Sequence, residues 1–71
     1  MATISLSGRQ VIEVMKTECK VMMLDHYFSY HVPDERTVRD YYKIWRLYAP
    51  IHEREAFFME YPEIQNICRG A

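Results

Sequence analysis

Apolar residues recur at helical spacing through the first third of the chain. At about 100° per residue, Val11, Ile12, Met15, Cys19, Met22, Met23 and His26 fall inside one arc of about 120°. Glu13, Lys16, Thr17 and Lys20 lie opposite, so the segment reads as an amphipathic helix with one side turned to a core. Ser7-Gly8-Arg9-Gln10 precedes it with the S-x-x-Q spacing of a capping box. The pattern predicts a helix from about Gly8 to about Tyr27, with residues 1–6 as a flexible or extended arm. A competing pattern overlaps its end. Met22, Leu24, His26, Phe28, Tyr30 and Val32 alternate with period two, in residue types that suit strands. Read that way, the chain would be α+β with a short strand at about 20–32. Such a strand would have only residues 1–6 to pair with, and the helix fits better.

Three prolines punctuate the remainder. Pro33 disfavours helix at Val32, and Asp34 can cap the helix that follows, with Glu35 favourable in its first turn. That second helix is expected from about Glu35 to Tyr48 and is ended by Pro50. A third runs from about Ile51 to Glu60, where Pro62 interrupts it. A short fourth, about Glu63 to Arg69, has proline at its first position and Gly70 as terminator. The expected fold is all-α: a small bundle of three to four helices, with residues 1–71 forming one domain.

Composition narrows the function mainly by subtraction. A domain of 71 residues buries only about 60% of its unfolded surface. It can hardly build a deep cleft and a core together, which weighs against an enzyme. The net charge is −1, and the segment 49–71 sets four glutamates (53, 55, 60, 63) against Arg54 and Arg69. A general nucleic-acid binder would show a clear basic excess. Six of the ten aromatic residues are tyrosines, a residue that offers contact area with a polar tip and suits interfaces. The two cysteines, Cys19 and Cys68, are read as reduced packing residues. The first nine residues lack the pattern of a signal peptide, and the longest apolar run, Val21–Leu24, is far short of the ~20 residues that span a bilayer. No membrane association is expected, and the expected location is intracellular and cytoplasmic.

The clearest constellation lies on the second helix. Arg36, Arg39, Lys43 and Arg46 fall within an arc of about 80°. Val38, Tyr41, Tyr42, Ile44, Trp45 and Tyr48 cover the other side, with Trp45 expected at the centre of the core. The result is a cationic ridge, which is either a solvated face or a binding surface. The stretch Val32-Pro33-Asp34-Glu35-Arg36-Thr37-Val38-Arg39-Asp40-Tyr41-Tyr42 resembles the turn and recognition helix of helix-turn-helix proteins. That resemblance implies DNA binding through the basic residues of the second helix. The sequence departs from the motif in a longer turn, in the absence of its turn glycine, and in Asp34, Glu35 and Asp40, which would approach phosphates unfavourably.

A second candidate surface combines Glu53 and Glu60 with Phe57, Phe58 and Tyr61. Phe57 and Phe58 lie about 100° apart on a helix, so one of them is expected at the surface, framed by carboxylates. A third is the strip Val14, Val21 and Phe28 on the first helix, well away from its main apolar arc. It predicts a homodimer through that helix. Glu18 and Asp25, seven apart, share a helix face, but no pocket is implied that would tune one as an acid. The histidines and cysteines show none of the paired spacings of structural zinc sites, so neither metal nor cofactor is expected. Taken together, the expectation is a small non-enzymatic regulatory or inhibitory protein that binds another protein. Helix-turn-helix-type DNA binding by the helix at 35–48 is the alternative.

Overall fold

The computed structural model describes residues 7–29 and 31–69. The expected arm at 1–6 and the terminator Gly70 lie outside these. Four helices follow one another: α1 (Gly8–Phe28), α2 (Glu35–Trp45), α3 (Ile51–Glu60) and α4 (Pro62–Cys68). The all-α expectation holds. Residues 20–28 are helical, so the alternative strand is not formed over that stretch, and among the described residues there is no strand.

Local chemistry fixes each start. The Gln10 amide donates to Ser7 Oγ at 3.3 Å, and the Ser7 amide donates to Gln10 Oε1 at 2.8 Å, completing the capping box of α1. At α2, Asp34 accepts from the Thr37 amide at 3.2 Å and from the Thr37 hydroxyl at 2.7 Å. The Asp34 amide also donates to the His26 carbonyl at 3.1 Å, which ties the start of α2 to the last turn of α1. Pro50 and Pro62 then open α3 and α4, where a missing amide costs nothing. The second helix ends three residues earlier than expected. Residues 46–48 form a turn ahead of Pro50, because the residue before a proline avoids the helical region.

One cluster of buried residues joins the helices. It contains Cys19 and Met23 of α1, Val38 and Trp45 of α2, Ala49, Phe57 of α3, and Ile64, Ile67 and Cys68 of α4. Trp45 is 1% exposed and sits at its centre. Its ring lies 5.0 Å from Phe57, 6.2 Å from Phe58 and 6.3 Å from Tyr42, centroid to centroid. Edge-on and tilted contacts of this kind add to what area burial contributes. Its Nε1–H meets no acceptor among the described residues, so the indole acts by shape and area.

The core corrects the sequence reading in two ways. Val11 and Ile12 lie on the arc whose spacing predicts burial, but they are exposed. The reason is length: α1 has 21 residues and α2 has 11, and every residue from Ser7 to Val14 is exposed. The first two turns of α1 project past their neighbours. Lys16 was placed opposite the core but is 7% exposed. It lies at the edge of the buried arc, where α3 comes alongside and supplies Glu53.

Candidate functional site

Three surfaces compete for a role, and the packing treats them differently. The first lies between α1 and α3. Lys16 Nζ sits 3.0 Å from Glu13 Oε1 and 3.0 and 3.2 Å from the two carboxylate oxygens of Glu53. Hydrogen bonds donated to Glu13 and then to Glu53 raise the Lys16 pKa above its ordinary value. A lysine held charged is a poor nucleophile. Lys20, Phe57 and Glu60 line the same cleft, of about 300 Å³. Its chemistry is that of a brace between helices: Glu53 is occupied by a cation of its own chain.

The aromatic half of the acidic patch is also largely inward. Phe57 is buried, and Phe58 and Tyr61 are half-buried. Phe58 packs 5.6 Å from Tyr42, and Phe57 lies 5.3 Å from Tyr61. Phe57 is therefore closed to a partner and Phe58 only partly open, so neither ring stands fully at the surface as is expected of one of them. The rings turn toward Trp45 and Tyr42 of α2. What α3 does expose is Met59, at 85%, together with Glu60.

The second surface is the ridge of α2. Arg36, Lys43 and Arg46 are exposed and Arg39 is half-buried. Arg39 leans toward α4, sharing a cleft with Tyr27, Glu63 and Ile67. Its charge also opposes, in small part, the burial that pushes the Cys68 thiol up to about 11. The Arg46 guanidinium lies 6.0 Å from the Tyr42 ring centroid, within range of a weak cation–π contact. Among the described residues, no carboxylate comes within 4.0 Å of any of the four.

The third surface runs along α1 and into the seam with α2. Val14, Val21 and Phe28 are all about half exposed or more, at 49%, 55% and 57%. Phe28 packs its edge against Tyr27 at 4.8 Å and reaches Tyr61 at 6.0 Å. Beside Val21 a groove of about 510 Å³ opens between the helices, lined by Met15, Cys19, Met22, Tyr41 and Ile44, with Glu18 at its rim. Ile44 and Tyr48 were expected on the covered side of the second helix. They are 44% and 40% exposed, because α1 covers only the Val38–Trp45 side of α2 and residue 48 lies beyond the helix end. This groove was not legible as a site in the sequence. Its only signals were the second apolar strip and the Glu18/Asp25 pair, which share one flank of α1.

Burial of each thiol, the first cause in both, raises the pKa of Cys19 and of Cys68. Both are free thiols. Among the described residues, no group of three or more His, Cys, Asp or Glu side chains could hold a metal ion, and no helix is long and apolar enough to cross a membrane. The chain matches no protein-family model, no curated protein and no solved structure.

Proposed function

We propose that this protein is a small non-enzymatic regulator or inhibitor that works by binding another protein. The observation that carries this reading is the open apolar surface of α1 and of its seam with α2. Val14, Val21 and Ile44 are exposed, and Val21 and Ile44 line one groove there. Contiguous exposed apolar surface on a small domain marks an interaction site. The first two turns of α1, exposed at every residue from Ser7 to Val14, add to it. An intracellular, cytoplasmic place of action goes with two unpaired cysteines.

A direct test compares affinity capture from nuclease-treated cell extract by the native chain and by Val21→Asp with Ile44→Asp. Both residues are exposed, so the variant is expected to keep its circular dichroism spectrum and lose its partner. A partner retained by the folded variant would remove this surface from the reading.

The ridge supports a second reading, DNA binding by α2, because Arg36, Lys43 and Arg46 face solvent without carboxylate partners. Exposed Glu35 and Asp40 flank it and work against it. A gel shift with random duplex DNA at low salt separates the two, since counterion release would show there even for a sequence-specific binder. Clear binding that is abolished by Arg39→Glu with Lys43→Glu would replace the protein-partner reading with the DNA one.

A further inference from the structure

The groove between α1 and α2 has a sign as well as a shape. Glu18 lines it directly. Asp25 lies one seven-residue step further on the same flank of α1, and Asp40 stands one turn before Ile44 on α2. All three carboxylates are exposed, and among the described residues none has a cation within 4.0 Å. Asp25 accepts only a short bond from the Ser29 hydroxyl, at 2.8 Å. No lysine or arginine lines the groove. On α1, Lys16 is turned to Glu53 and Lys20 to the opposite cleft. On α2, the basic ridge lies about 100° around the helix from Ile44.

Resting on the protein-binding reading above, we propose that this groove receives an amphipathic helix of another protein whose apolar stripe is flanked by lysines or arginines. The apolar floor of Met15, Met22, Tyr41 and Ile44 would take the stripe, and Glu18, Asp25 and Asp40 would meet the flanking cations. A seam between two helices accepts a third helix by side-chain interdigitation, and an amphipathic helix laid in such a groove is a recurring mode of recognition. An extended peptide is disfavoured because the described residues offer no strand edge to extend. A second copy of this chain is also disfavoured. A two-fold axis on the Val14–Val21 strip would place Glu18, which lies between those residues, close to its own copy, and no cation of that face would relieve the repulsion. The rim likewise repels nucleic acid and anionic membranes.

Two peptides test the proposal against the full chain. One is a leucine–lysine helix with leucines at i, i+3, i+4 and i+7. The other carries glutamate at every lysine. In isotope-labelled protein, the lysine peptide is expected to shift the amides of Val21, Met22, Tyr41 and Ile44. The glutamate twin is expected to bind about tenfold more weakly or worse, because like charges then face each other. Glu18→Lys with Asp40→Lys should invert that preference. Equal affinities, shifts centred elsewhere, no saturable binding of the lysine peptide, or no inversion would each overturn the proposal. So would a native dimer in light scattering that Val21→Asp dissociates, because the groove would then belong to a second copy. The capture experiment above decides the broader reading separately. A captured protein indifferent to Glu18→Lys with Asp40→Lys leaves that reading standing and sinks this one.

Discussion

Two regions of this molecule put apolar side chains to opposite ends. Around Trp45, rings from α2 and α3 close on one another and on α4, and almost nothing is left to solvent. Along the outer flank of α1, Val14 and Val21 stay open beside a groove that no part of the described chain fills. The difference follows from helix length and order. The shorter helices α2, α3 and α4 surround one indole, whereas α1 is nearly twice as long as α2 and carries a second apolar strip that stays about half exposed or more. A domain of this size nets only ~3–5 kcal/mol from its core. Surface left uncovered at that margin contributes nothing to the fold, and the protein-binding proposal rests on it.

Mutations should separate the two regions sharply. Trp45→Ala is expected to cost ~3–5 kcal/mol, comparable with the whole stability of the domain, and to leave no cooperative melting transition. Met23→Ala, at the α1 side of the same core and 0% exposed, should cost ~2–5 kcal/mol. Val14→Ala and Val21→Ala should each stay within about 0.5 kcal/mol of the native chain in urea titration. A large loss at Val21 would mean that the flank is part of the core and not an interface. Between these extremes lies the cap of α1. Ser7→Ala should cost ~1 kcal/mol, because the Gln10 amide loses its side-chain acceptor.

The charged contacts give smaller, pH-dependent effects with opposite signs. Lys16 is held above its ordinary pKa by Glu13 and Glu53. Its contribution is complete below the unfolded value of ~10.4 and is lost as pH rises through the higher folded value. Asp34 is held below its ordinary range by the Thr37 hydroxyl and amide, with His26 and Arg36 adding to the effect. Its contribution is present above the unfolded value of ~3.9 and is lost as pH falls through the lower folded value. Melting temperature measured across pH should show both limbs. Lys16→Met should flatten the alkaline one and Asp34→Asn the acid one. The thiols should show the smallest effect of all under native conditions. With Cys68 raised to about 11 by burial, a disulfide reagent at neutral pH should label it only on the timescale of unfolding.

Much of the architecture was legible because its signals are local. The capping box at Ser7, the Asp34 cap and the three prolines each act within a few residues, and they place each end of the four helices among the described residues within three residues, four of the ends without error. The burial of Trp45 and Val38 was equally readable, since both sit on the face opposite the basic ridge. The surfaces were harder to read. Nothing near Lys16 announces Glu53, which is 37 positions away and reaches it only once α3 is docked. One of Phe57 and Phe58 reads as an outward anchor among glutamates because the sequence does not show how closely Trp45 and Tyr42 approach. Ile44 shares the apolar half of α2 with Trp45, yet it borders the open groove. The angular difference of about 100° between them decides burial only when the position of α1 is known.

The corners of the chain carry a consequence that no contact map displays. Among the described residues there is no positive φ at any position, so none of the three connections depends on a left-handed glycine. Each contains or borders a proline instead: Pro33, Pro50 and Pro62. A proline that suits its native geometry stabilises by ~0.4–1 kcal/mol, chiefly by thinning the set of shapes open to the unfolded chain. Three such residues act on the disordered ensemble with a combined weight of about 1–3 kcal/mol, a sizeable fraction of the ~3–5 kcal/mol that a core of this size nets. Pro50→Ala should therefore lower stability while leaving every native side-chain contact in place, because part of what favours this fold is the poverty of its alternatives.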